Sequence, residues 1–195
     1  MEREKCLQAI KEYVHTLFYD DVTGHDYFHM ERVARTARKI AEQEYADLFI
    51  TEVSAWLHDI GDAKLFSDSE KAMEEMVAFL KTIELSSSEI MNINTAIKDI
   101  SFHKGNAPVT LEGKIVQDAD RIDAIGAIGI ARTFAYGGAK KQFIYHRDFH
   151  DTSIQHFYDK LLKLKDLLYT TTAKEIAHER HVFMEQFLEQ FYKEW

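Results

Sequence analysis

The chain has 195 residues, 46% of them hydrophobic and 29% charged, with a formal net charge of −9 at pH 7. That length suits one domain, or one domain with a small cap, and roughly 70% of the unfolded surface can be buried without any covalent staple. The acidic balance repels a polyanion and so argues against non-specific nucleic-acid binding, while a small phosphate ester, whose charge can be met locally, stays admissible.

Helical periodicity dominates the chain, and Pro108 is its one proline. The opening Met1-Glu2-Arg3-Glu4-Lys5 has no apolar core, and no apolar run nears ~18 residues, so neither a signal peptide nor a membrane span is expected. Residues 2–18 place Leu7, Ile10, Val14, Leu17 and Phe18 on one stripe. Cys6, the one cysteine, reads as a small core residue, offers no disulfide framework, and fits a reducing cytoplasm. After a turn at Asp20–Gly24, Asp26 is positioned to cap a helix carrying His29, Val33, Ala37, Ile40 and Ala41 on one face, which leaves His25 just outside its mouth.

A break near Tyr45-Ala46 precedes Asp47, a cap for a helix through Val53, Trp56 and Leu57 to His58, with Gly61 as its stop. Ser67 or Ser69 opens the next helix, with Met73, Met76, Val77 and Leu80. Ser86 and Glu89 form a near capping box for one through Ile93, Ile97 and Ile100. A loop holds His103-Lys104-Gly105-Asn106-Ala107-Pro108, and Thr110 begins a helix with Ile115, Val116 and Ala119. Small apolar residues over 122–136 suggest tight helix contacts, closed by Gly137-Gly138. The stretch 139–152 has no period and reads as a mobile loop whose Lys140, Lys141 and Arg147 can act as a lid. Amphipathic helices are expected at about 153–168 and 172–193. There is no alternating strand pattern of useful length, so the fold is expected to be all-α, a single multi-helix domain over 1–195.

Three groups of residues carry chemistry. Ser54-Ala55-Trp56-Leu57-His58-Asp59-Ile60-Gly61-Asp62 leads an apolar helix into an adjacent imidazole and carboxylate, a pair costly to bury unless compensated. A divalent metal accepts both donor types. His29 lies on the buried face of its own helix. Gln117-Asp118-Ala119-Asp120-Arg121-Ile122-Asp123 sets three aspartates in an apolar context, and in a helix Asp120 and Asp123 share a side that Asp118 does not. Most of the ten histidines, His178 and His181 among them, sit in polar surroundings and need no special role.

In order, His29, His58-Asp59 and Ala119-Asp120-Arg121 resemble the H…HD…D motif of the HD-domain metal-dependent phosphohydrolases, over about residues 25–130. The fuller wording, Thr23-Gly24-His25-Asp26-Tyr27-Phe28-His29 and Gln117-Asp118-Ala119-Asp120-Arg121-Ile122-Asp123, is similar to that of small bacterial members, some of which are nucleoside triphosphate pyrophosphohydrolases. The resemblance implies an HD-type helical bundle with its metal core at about 25–130 and the helices of 153–193 packed on it.

By position the resemblance also implies His29, His58, Asp59 and Asp120 as ligands of one divalent metal. That donor set suits Mn²⁺ first, then Co²⁺, Ni²⁺, Fe²⁺ or Zn²⁺, and Mg²⁺ less well. The implied reaction is attack of an activated water on a nucleotide phosphorus, with Asp62 as general base or water-orienting group, or else a plain turn aspartate. His25, Arg32, His103, Lys104 and Arg121 are the candidate substrate contacts, the two arginines serving alternatively to pair with core acids such as Asp123. Nucleotide 5′-monophosphatase, phosphodiesterase and, less directly, a two-metal HD-type oxygenase are the other activities in view. A cytoplasmic protein, without membrane or nucleic-acid partner, is expected, and a homodimer is compatible with it.

Overall fold

Why each helix begins where it does is visible in its caps. The computed structural model describes residues 2–20, 24–98, 100 and 107–195. Among the described residues the fold is all-α: α1 (Glu2–Phe18), α2 (Tyr27–Glu44), α3 (Leu48–Leu57), α4 (Ser69–Thr82), α5 (Ser87–Ile97), α6 (Leu111–Asp123), α7 (Gly126–Ala139), α8 (Ser153–Asp159), a 3₁₀ helix (Leu161–Leu167) and α9 (Thr171–Glu194). Asp26 caps α2 by accepting from the His29 backbone N–H at 2.7 Å. Asp47 caps α3 through the Phe49 and Ile50 N–H groups. At α5 both halves of the Ser86–Glu89 capping box are formed. α4 opens at Ser69, one of the two serines expected to begin it, and Asp68 is its cap, with the carboxylate accepting from the Lys71 N–H at 3.0 Å. No described helix is long and apolar enough to cross a membrane.

The chain divides into two units, Met1–Gln117 and Asp118–Trp195. In the first, α3 is the central rod: it packs against α1, α2 and α5, and all of its residues except Leu48 and Glu52 are buried. A helix apolar on every side is stable only when surrounded. Full burial of Val53, Trp56 and Leu57 contributes roughly 1.5–3 kcal/mol each. Glu52 is held by Arg38 of α2, Nη1 to Oε2 at 2.5 Å. The buried stripe of α1 is Ile10, Val14 and Phe18, with Leu17 lying off it at 39% exposed. Cys6 is half-buried, its Sγ directed at the Ile83 carbonyl. Gly61, at φ +85, closes the turn after α3; a Cβ there would lie 2.8 Å from Met73 Cγ.

In the second unit α7 packs on α8 and α9, and the 3₁₀ helix lies against both α8 and α9. The core holds Ile154, Phe157, Leu161, Leu164, Ala173, Ala177 and Met184. Two sequence expectations are corrected here. Gly137-Gly138 does not end α7, which runs on to Ala139; Gly137 instead makes room for Ser153 Oγ, which a Cβ would strike. The helix expected over 153–168 is two pieces, because Lys160 leaves the α region at φ −134 and the chain tightens to 3₁₀. Residues 139–152 are closed at their base by the Ser153 N–H on the Phe143 carbonyl (3.0 Å) and the Ile154 N–H on the Ile144 carbonyl (2.9 Å). The rings of Phe143, His146 and Phe149 pack together above that base.

Candidate metal centre

The first unit brings three imidazoles and one carboxylate together where α3 ends and α2 begins. His58 is the C-cap of α3, and its Nδ1 lies 2.8 Å from the Ala55 carbonyl. A carbonyl only accepts, so Nδ1 carries a proton and Nε2 is the ring nitrogen turned toward Asp59. That Nε2 lies 3.4 Å from Asp59 Oδ1. His29, in the first turn of α2 and 0% exposed, has its Nε2 3.7 Å from Asp59 Oδ2. His25, one residue before the capping Asp26 and after Gly24 at φ +98, places Nδ1 2.7 Å from the same Oδ2. The rings of His29 and His58 are 5.3 Å apart, and those of His25 and His29 are 5.4 Å apart, both edge-on.

Asp59 is the electrostatic hub. Burial opposes its charge, but His58, then the hydrogen bond from His25, then His29 outweigh burial and hold the carboxyl well below the usual carboxylate range. The group is therefore an anion facing imidazole nitrogens, which is the donor chemistry of a divalent transition-metal site. One atom each of His25, His29 and Asp59 lie within 4.8 Å of one another, and the three could hold a metal ion. The donors fit the metal expected from the motif: imidazole nitrogens, one ring oriented by a backbone carbonyl, and an ionised carboxylate oxygen.

Asp62 follows the turn rather than continuing α3. Its Oδ1 accepts from the Lys64 N–H at 2.8 Å and its carbonyl from the Leu65 and Phe66 N–H groups. Arg32, half-buried, stands one turn after His29 on α2. His103 and Lys104 lie outside the described residues.

Asp120 and Arg121 lie in the second unit, on the last turn of α6. The structure separates the three neighbouring aspartates by their surroundings. Asp118, fully buried, accepts from the Tyr169 and Thr170 N–H groups and from the Thr170 hydroxyl. Asp123 is paired with Arg132 at 2.7 Å, not with Arg121. Arg121 donates to the Leu167 carbonyl and lies over the Tyr169 ring. Asp120 is half-buried. The contact that sequence reasoning did not reach is His25 to Asp59, between residues 34 apart; the only local signal was a histidine set between a glycine and a capping aspartate.

Comparison with known proteins shows the family. Residues 26–125 match the HD domain family. Over 198 aligned residues the chain is 40% identical to the uncharacterized protein YpgQ of Bacillus subtilis (strain 168), covering 100% of this chain and 96% of that one. The crystal structure of Bacillus subtilis YpgQ in complex with ADP is similar with a TM-score of 0.89 at 39% identity, over 100% of this chain and 97% of that one. An HD-superfamily hydrolase from Bacillus thuringiensis gives 0.84 at 42% identity, over 100% and 98%. With a family match over half its length and relatives this similar across the whole of it, the chain belongs to the HD domain family.

Proposed function

We propose that the protein is a metal-dependent phosphohydrolase of nucleotides, and specifically a (deoxy)nucleoside triphosphate pyrophosphohydrolase. His29, His58, Asp59 and Asp120 are the proposed ligands, Asp120 entering through the motif order, and Mn²⁺ is the preferred ion. The observation that carries the reading is the ionised Asp59 between imidazoles, one of them with its ligand nitrogen fixed by the Ala55 carbonyl. The ADP bound to YpgQ supports a nucleotide as the ligand class.

The bound ion would supply a Lewis acid for a phosphoryl oxygen and lower the pKa of water. The chain's own part is to orient. His58 and Asp59 are fixed by the end of α3, and His29 by the Asp26 cap, so the donors need little rearrangement to bind. Asp62 is assigned to orienting or deprotonating the attacking water, while Arg32, Lys104 and His103 are assigned to the phosphates.

Asp62→Asn keeps an oxygen for the Lys64 N–H and removes the base. It is expected to slow turnover about 10²- to 10⁴-fold with metal affinity nearly unchanged. A collapse of metal affinity would make Asp62 a ligand instead.

The substrate class is tested by offering nucleoside mono-, di- and triphosphates with Mn²⁺, Mg²⁺, Co²⁺ or Ni²⁺ and reading pyrophosphate and phosphate separately. Release of pyrophosphate from triphosphates is the expected result. Phosphate release from monophosphates would reassign the protein as a phosphatase, and no release from any of them would overturn the reading.

A further inference from the structure

The carboxylate of Asp59 faces three imidazoles, and they differ in how much water they see. The side chains of His29 and His58 are 0% and 1% exposed, against 38% for His25. His25 is also the closest of the three, with Nδ1 2.7 Å from Oδ2. An ionised carboxylate only accepts, so this contact is Nδ1–H donating to Oδ2. A nitrogen that carries that proton has no lone pair to give a metal.

We infer that His25 is a positioning residue: it locks the carboxylate plane of Asp59, and contributes to metal binding through Asp59 rather than as a ligand or a substrate contact. The inference rests on the reading of Asp59 as a metal ligand. The terminal torsion of an aspartate is broad, so an unheld carboxylate swings between presenting one oxygen and presenting two. With Oδ2 pinned by His25, Oδ1 stays on the side of His58 Nε2, at 3.4 Å.

The local backbone sets where His25 stands. It is bracketed by Gly24 at φ +98 and by Asp26, whose side chain is tied to the His29 N–H. The ring also packs edge-on against the His29 ring. His25 further shields a carboxylate whose side chain is 12% exposed, which keeps water from competing for the hydrogen bond.

The test is Co²⁺ titration of the metal-free, full-length protein, read by visible absorption, for the wild type, His25→Ala and His25→Asn. Asparagine can place an amide N–H close to the position of Nδ1. His25→Ala is expected to weaken Co²⁺ binding about 10- to 100-fold, and His25→Asn to recover to within about threefold of the wild type, as for other partners that orient metal ligands. At saturation all three should show the same absorption bands, since no ligand has changed; far-UV circular dichroism confirms that the variants are folded. Wild-type affinity in His25→Ala would overturn the inference, and so would altered bands at saturation in His25→Ala without recovery in His25→Asn, which would make His25 a ligand. A wild type that binds no Co²⁺ at all would overturn the metal reading and this role together, a result distinguishable from either of the others.

Discussion

Asp59→Ala is expected to cut metal-dependent hydrolysis by at least about 10³-fold, roughly 4 kcal/mol of transition-state stabilisation, while the helical circular dichroism stays intact. The size follows from its position. Asp59 is the one anion among the imidazoles that the first unit gathers, and both of its oxygens are engaged. The fold tolerates its loss because Asp59 lies past the end of α3 and its side chain contacts other side chains, not the helix backbone. Its nearest partner, His25, is open enough for water to take over the released N–H. Asp59→Asn is expected to be nearly as inactive, since the amide keeps the shape and loses the charge. Full-rate hydrolysis by either variant would remove Asp59 from the centre.

Asp118→Ala is expected to do the opposite, lowering stability first. The substitution leaves the Tyr169 and Thr170 N–H groups and the Thr170 hydroxyl without their buried acceptor. Each such orphan costs about 1–3 kcal/mol, so about 3–5 kcal/mol in all after partial relaxation. Thr170 is itself the N-cap of α9, accepting from the Ala173 N–H, so the damage extends to the start of the longest helix described. For a chain of this size the thermal midpoint should fall by about 10 °C. Asp118→Asn, which keeps one acceptor oxygen, should lose about half as much. An unchanged midpoint for Asp118→Ala, followed by circular dichroism, would show that the clamp carries no weight.

These two aspartates show how far a sequence can be read. Asp59 was legible because it stands beside His58 at the end of an apolar helix, a placement that demands compensation. Asp118, Asp120 and Asp123 are the same residue in similar company, and helical geometry alone could only put Asp118 on a different side. What separates Asp118 is a turn more than 50 residues later, the Tyr169–Thr170 backbone. Local chemistry was read well: Asp26, Asp47 and the Ser86–Glu89 pair each cap the helix they precede. The misreadings come from signals that do not separate two causes. A glycine pair marks a helix end or a close approach, and at Gly137 it was the approach of Ser153. Leucines at 161, 164, 167 and 168 suit a 3.6-residue period and a three-residue period equally over two turns, so the change to 3₁₀ left no trace in the pattern. Periodicity also carried no information about residues 139–152, whose base is held by two backbone hydrogen bonds.

Because α3 ends where α2 starts, the centre has a polarity that belongs to the main chain. The last carbonyls of a helix amount to about half a negative charge and the first N–H groups of another to about half a positive one. Asp26 already occupies the positive end by accepting from His29 N, and at the negative end the Leu57 carbonyl is partly used by Ile60 and that of Ala55 by His58. What is left leans toward cations, by about 0.3–1 kcal/mol for each unit charge at such an end. This attraction is built into the peptide dipoles and needs no side chain, so a faint preference for divalent cations at the tip of α3 should outlast the loss of the Asp59 carboxylate itself.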